Sequence, residues 1–523
     1  MNAPRADLAA VYQSAVTAYA DPARLAVSAR LLGFTPAPPA AARVLQIGEH
    51  VAANLVALAA ANPDTHFVGL ELGSGPVDIT PLADELGLNN LRIEPWSVDR
   101  LGESAGERFN YVLCAGTFGR LTAAQRSALL RSAAGNLAAD GVVCVGYLSL
   151  PGGHWHAALA DMLTQHVSAL ADPAQRTAQA RALLAFLAEA NAEDAPYGKL
   201  LRQAKAQFEL MSDQQINLEY LQPPSEPLSL TQVLQAAGAA GLAYLGDLDL
   251  PGMTDLGLPE NARQRLAEAK GDPVRYEQYL DFVRGRAFRH TLLVGSHATA
   301  NRTITPERLQ ALAVASALRP VADDIELTDG VRVDFRHPGG AVLPVTHAVT
   351  KAALAALGRS WPQAVPYAEL LAGAVHDTRP ANATAQRAVL ATDLLGYFIS
   401  GLIELRLAPL RLTTDIGALP HAWPLARLQA RQASGPVAWV TNLRHENIPL
   451  DAVSREVLSR LDGRHDRGAL LEHLHGAVRD GRLTVHSQSQ PLTDRDRLDA
   501  ALVEAFELAL RRLAAAGVLI TGR

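Results

Sequence analysis

Arg43-Val44-Leu45-Gln46-Ile47-Gly48, then Glu49-His50-Val51-Ala52-Ala53-Asn54-Leu55, then Phe67-Val68-Gly69-Leu70-Glu71 are the pieces that decide the fold. The first is a short apolar run closed by glycine, the pattern of a buried parallel strand. Ala52–Asn62 is alanine-rich and long enough for a helix, and Pro63 stops it. The third piece is a second apolar run that ends in a carboxylate. Strand, tight turn, helix, strand, acid is the logic of a nucleotide-binding βαβ unit. The turn turns backbone N–H groups toward the ligand, and the acid at the tip of the second strand accepts hydrogen bonds from ribose hydroxyls. The turn keeps one glycine, Gly48, where such turns have two or three.

The same alternation continues outward from this unit. Asn90–Ile93, Phe109–Cys114 and Val142–Tyr147 read as further strands, with a helix at Gln125–Leu137. Strands separated by helices predict a parallel, doubly wound sheet with right-handed crossovers. Upstream, Leu8–Leu32 is helical with a break at Asp21-Pro22, where Asp21 caps and Pro22 starts a new helix. After Pro151-Gly152-Gly153 the pattern turns purely helical, over His156–Ala171, Asp172–Asn191 and Lys199–Met211. Gly241–Gly246 and Phe288–Val294 then read as the sixth and seventh strands of the first sheet, which makes Ala157–Gln222 a helical insertion. Beyond Thr305, Ile325–Pro338 is expected to form a hairpin turned at Asp329-Gly330. Short helices and a terminal Gly517–Ile520 strand follow, the pattern of a winged-helix-like module. The divisions expected are 1–156, 157–300 and 301–523.

At 523 residues the chain is too long for one core. With 49% hydrophobic and 19% charged residues it is an ordered globular protein. A net charge of −6 argues against general affinity for nucleic acid or anionic membranes. The two cysteines, Cys114 and Cys144, fall in apolar strands and are expected to be reduced, buried thiols rather than metal ligands. Met1–Leu8 carries an acid and no apolar run, and no uncharged stretch reaches the ~20 residues that span a bilayer. A cytoplasmic protein without membrane insertion is expected. The pair His154 and His156, with His166 nearby, has no acid or thiol cluster beside it, so a metal site is the weaker reading.

Tyr276-Glu277-Gln278-Tyr279-Leu280-Asp281-Phe282, followed by Arg286, Phe288-Arg289 and Thr291-Leu292-Leu293, resembles bacterial class I methyltransferases that carry a methyltransferase regulatory domain. Protein-lysine methyltransferases acting on outer-membrane proteins belong to that group. Pro424–Ala430, Val440–His445 and Leu461-Asp462-Gly463 resemble its C-terminal region. The resemblance implies an α/β, Rossmann-like, seven-stranded sheet with a helical insertion, plus a C-terminal α+β winged-helix-like domain. It implies S-adenosylmethionine (SAM) as cofactor, held by Gly48, His50, Asn54, Glu71, Ser97 and Ala115. Gly116, Phe118 and His154 become candidates for the methyl-acceptor pocket. The family's turn resembles Leu-Glu-Leu-Gly-Cys-Gly-x-Gly, and here Gln46, His50 and Ala52 stand at the acid and the later glycines. Trp96, beside Ser97, is either an adenine stacking face or a packing residue. Glu277, Asp281, Arg286 and Arg289 are expected to form an ion-pair network that docks a helix on the sheet.

The implied function is SAM-dependent methyl transfer to a protein side chain such as lysine. The alternative is a catalytically eroded methyltransferase-like chain acting as a binding or regulatory partner. A nicotinamide-dependent oxidoreductase is a third reading, against which the missing Gly-x-Gly-x-x-Gly counts. The oligomeric state is open.

Overall fold

The computed structural model describes residues 11–72, 78–100, 106–114, 116–223, 225–433, 437–484, 486–487, 490–491 and 495–521. Helix α1 (Pro22–Leu31) starts as its sequence dictates, with the Asp21 carboxylate accepting from Ala23 N at 2.9 Å. Then come strand β1 (Arg43–Gly48), helix α2 (Val51–Ala61), β2 (His66–Leu72), β3 (Leu91–Trp96), β4 (Phe109–Cys114) and β5 (Leu137–Leu148). Helix α3 (Gly153–His166) opens the insertion, which continues through Pro173–Ala190 and Pro196–Glu209 and closes with α4 (Asp213–Tyr220). Strand β6 (Leu242–Asp247), helix α5 (Pro273–Arg284) and strand β7 (Phe288–Gly295) complete the sheet.

The sheet order is β3-β2-β1-β4-β5-β7-β6, with β7 antiparallel to both of its neighbours. The order reverses between β1 and β4, and in open α/β sheets the crevice at the carboxyl ends of such strands is where ligands bind. Alternate residues go to opposite faces. Val44, Tyr111, Val142 and Cys144 join one core with α1, and Leu45, Val112, Val143 and Val145 join the other. Both cysteines are buried, free thiols. The insertion has a core of its own around Leu163, Leu184, Leu201 and Phe208.

Helix α2 explains its alanine content. Every residue from Val51 to Ala59 is buried. One side meets the sheet, and Ala52, Ala53, Val56 and Ala57 join the core of the C-terminal module. Small side chains let three layers approach closely.

The region 301–523 is two packing units, not one. Residues from Leu309 to Leu405 share the core of the sheet's α1 face, whereas Ala422 to Leu519 form a separate core against α2. The expected hairpin is also displaced. Its strands are Val333–Arg336 and Val342–Val345, and it turns at Pro338-Gly339-Gly340, where Gly340 (φ +92) donates its N–H to His337 O at 2.9 Å. Two adjacent glycines win the turn. Asp329 instead caps a helix, its carboxylate accepting from Ala348 N at 2.7 Å. Among the described residues no helix is long and apolar enough to cross a membrane.

Candidate functional site

The turn after β1 is built by strain tolerance and an acid borrowed from the next strand. His50 sits in the left-handed region at φ 57 and ψ 35 and gives helix α2 no side-chain cap. Histidine enters this region more readily than branched residues, so the turn survives without the usual glycine. The missing cap comes from β2. Glu71, 5% exposed, accepts from His50 N at 2.7 Å and from Val51 N at 3.0 Å. A carboxylate on the first N–H groups of a helix satisfies orphan donors and complements the helix dipole.

The other side of the turn is tied to the segment after β4. Thr117 Oγ1 accepts from Glu49 N at 3.0 Å, and Arg120 pairs with the Glu49 carboxylate. Gly48 closes β1, and Gly116 lies at φ +75 with nothing within 4 Å of where a Cβ would stand. The tips of β1, β2 and β4 therefore converge on one edge of the sheet. Ser97 is exposed at the end of β3 on the same edge. Ala115 lies outside the described residues. Trp96 is 7% exposed, and the Arg100 guanidinium covers its ring at 3.9 Å, so its face packs against a cation.

Asn54 does not join this site. Its Oδ1 meets Thr17 N at 3.1 Å and His445 Nε2 at 2.7 Å, while Nδ2 donates to Ala20 O and to Gln46 Oε1. Every hydrogen-bonding position of this amide is used by protein. It knots the N-terminal segment, β1 and the C-terminal module together at the second turn of α2. Gln46, standing where the family has an acid, is turned into that knot.

A cavity of 310 Å³ opens beside this edge. Its floor is Gly116, Arg120 and the end of β5 (Gly146, Tyr147). Its cover is α3 through His156, the end of α4 through Glu219, the start of β7 through Phe288 and His290, and Tyr19 from the N-terminal segment. Tyr19 stacks on His290 at 3.7 Å between centroids, and a Cβ at Gly146 would come within 3.1 Å of the Tyr19 ring. Glycine is thus needed there for close approach. Gly119 fits closely against Ser225, and its carbonyl accepts from Glu226 N at 2.8 Å, which pins the end of the insertion over the cavity.

The sequence candidates for this cavity fare differently. Gly116 lines it. Phe118 is 1% exposed and sits behind Tyr147, 6.3 Å between ring centres, rather than on the wall. His154 points to solvent from the first turn of α3, and His156, two residues on, takes the inward position. Among the described residues no cluster of His, Cys, Asp or Glu suits a metal ion.

The electrostatics are unusual. Burial lowers the His156 pKa to about 4 and that of His290 to about 3, so both rings are neutral at pH 7. Glu219 is an exposed residue that lines the cavity, and the atoms packed around its carboxyl raise it to about 7 by desolvation. Tyr19, Glu219 and His290 were missed in the sequence. They come from three distant segments, and no local motif marks them.

The sheet order with an antiparallel β7, set over an N-terminal turn of this kind, decides the architecture. The fold is that of a class I methyltransferase. Two family models match parts of the chain: a predicted methyltransferase regulatory domain over residues 212–295, and a PKMT C-terminal winged helix domain over residues 419–518. Solved structures of PKMT2 from Rickettsia typhi superpose over 97% of this chain. The one in complex with AdoHcy has a TM-score of 0.85 at 23% identity and is covered to 99%; the other has a TM-score of 0.83 at 22% identity. An uncharacterized protein of Rickettsia prowazekii is 24% identical over 516 residues, 97% of this chain and 92% of its own length. In this methyltransferase fold the regulatory-domain segment includes α4, β6, α5 and β7, and so supplies Glu219, Phe288 and His290 to the cavity.

Proposed function

We propose that this chain is a SAM-dependent methyltransferase acting on an amine of a protein side chain, with lysine as the class. The observation that carries this reading is the cavity at the tips of β4 and β5, lined by Gly116 and Arg120, next to a turn that Glu71 and Thr117 brace through its backbone N–H groups. The residues fit the cofactor. Glu71 would hold the ribose, because an ionised carboxylate has about four acceptor sites and can brace the turn while receiving hydroxyls. Ser97 would meet the adenine, and the N–H groups around Gly48 and His50 would line the adenosyl group. When bound, SAM supplies an activated methyl on a sulfonium. The chain's part is to orient the acceptor, exclude water and deliver a neutral amine.

The cofactor's amino-acid end calls for both charges. Gln46 is neutral and turned away, but Glu49 and Arg120 lie at the β1–β4 crevice, and one Nη of Arg120 bonds Glu49 while its Nε has no hydrogen-bond partner. Arg120 would take the carboxylate and Glu49 the ammonium. Arg120→Leu is therefore expected to weaken S-adenosylhomocysteine (AdoHcy) at least about tenfold and to leave methylthioadenosine, which lacks that end, unchanged. Calorimetric titration of both ligands checks this, and an equal loss for both would place the effect elsewhere.

PKMT2 in complex with AdoHcy, similar along nearly the whole chain, supports the cofactor assignment. The retained turn supports an active enzyme over an eroded one. The direct experiment is transfer of radioactive methyl from SAM to a lysine-rich polypeptide, with hydrolysis to identify the methylated residue. Label on lysine supports the reading, and label absent from every amine-bearing polypeptide, with SAM bound, would overturn it.

A further inference from the structure

Glu219 stands near the end of α4, and its carboxylate has no hydrogen bond or ion pair among the described residues. It is the acidic side chain among the described residues that line the cavity. The groups facing the same space are Arg120 from the segment after β4, His156 from α3, His290 from β7, Tyr19 from the N-terminal segment and Tyr147 from β5. Arg120 is engaged by Glu49. His156 directs Nε2 at the Glu219 carbonyl at 3.3 Å, and its ring packs at 4.3 Å from that of Tyr220. Tyr147 is committed to Thr291 Oγ1 at 3.0 Å. An accessible carboxylate without a cation thus shares the cavity with the aromatic side chains of Tyr19, Tyr147 and Phe288.

A slim aliphatic stem ending in a single ammonium answers this arrangement. Tyr19, Tyr147 and Phe288 line the cavity for such a stem, and Glu219 is the carboxylate there for its charge.

We propose that Glu219 binds the ammonium of an aliphatic amine acceptor and takes its proton, so that the segment named regulatory contributes a catalytic residue. The proposal rests on the methyltransferase reading above. In the step one N–H bond of the ammonium breaks, its electron pair stays on nitrogen as the lone pair, and the proton passes to a carboxylate oxygen of Glu219. Ammonium and carboxylate become amine and carboxylic acid, with one proton moved and net charge unchanged. The carboxyl's position near pH 7 suits a general base, which must be ionised to accept and matched to the working pH to act.

The test uses n-butylamine, protonated at neutral pH, as a mimic of the lysine side chain, titrated into the full chain in the presence of AdoHcy. Saturable binding is expected, weakened at least about tenfold in Glu219→Gln, largely retained in Glu219→Asp, and absent for the neutral n-butanol. AdoHcy affinity is expected to be the same in all three proteins, which also reports that the variants fold. In the wild type, methyl transfer should rise with pH through about 7, and Glu219→Gln should lose that limb. Equal butylammonium affinity in wild type and Glu219→Gln, or none in a wild type that binds AdoHcy, would overturn the proposal. Failure of AdoHcy to bind would instead strike the methyltransferase reading, and the butylammonium comparison would still decide the role of Glu219 as a cation site.

Discussion

Replacing Arg289 with methionine is expected to lower the unfolding free energy by about 3–5 kcal/mol. Arg289 is fully buried on β7. It donates to both oxygens of Asp281, at 2.7 and 3.0 Å, and lies 3.4 Å from carboxylate oxygens of Asp247 and Glu277. Arg286 adds a bond to Asp247 at 2.7 Å, and Arg302 one to Glu277 at 2.6 Å. The network fastens α5 across β6 and β7, the antiparallel edge that supplies Phe288 and His290 to the cavity. Without the guanidinium, Asp281 is left in the interior facing Arg286 alone at 3.7 Å. An uncompensated buried charge costs far more than an intact pair contributes. The exposed pair Arg263–Glu260, with side chains 44% and 64% accessible, sets the contrast. Arg263→Met should cost less than about 1 kcal/mol. Thermal and urea unfolding of the two variants measures this directly, and equal small losses would remove the network from the account of stability.

The second large effect is on ligand binding. Glu71→Ala is expected to weaken AdoHcy by about a hundredfold or more. Each hydrogen bond to a charged acceptor contributes about 1.5–3 kcal/mol, and this residue serves the turn as well as the sugar. The N–H groups of His50 and Val51 would lose their acceptor, and the left-handed conformation of His50 would lose its support. Glu71→Gln separates the two roles. An amide keeps one acceptor for the turn but turns an NH₂ toward a second N–H, so an intermediate loss is expected. Calorimetry on the three proteins reads the order, and a Glu71→Ala protein that binds like wild type would show that the carboxylate is not at the ligand.

The βαβ unit was legible because its signals are local. An apolar run, a glycine, an alanine-rich helix and a terminal acid lie within Arg43–Glu71, and each constrains its neighbours. The ion-pair network was legible in part. Glu277, Asp281, Arg286 and Arg289 sit close in sequence, but Asp247 belongs to another strand and escaped notice. Asn54 is the opposite case. Its place after the turn suits a cofactor residue, yet its decisive partner, His445, is 391 positions away. Burial holds His445 neutral, its pKa lowered to about 4, so that it serves as a hydrogen-bonding wedge between modules. The acceptor cavity was the least legible part. Tyr19, His156, Glu219 and His290 meet because an insertion folds back over the sheet, and tertiary packing leaves no local pattern to read. His154 and His156 differ by two residues, which on a helix is most of the way to the opposite face.

The central claim is that the turn after β1 still receives an adenosyl ligand with Glu71 on its sugar. The measurement that tests it most directly is calorimetric titration of AdoHcy into the full chain, with the thermal midpoint followed in parallel. The account predicts saturable heat at one site per chain and a rise in midpoint, both requiring about a hundredfold or more ligand in Glu71→Ala. No heat and no shift at millimolar AdoHcy, with the protein folded, would contradict it.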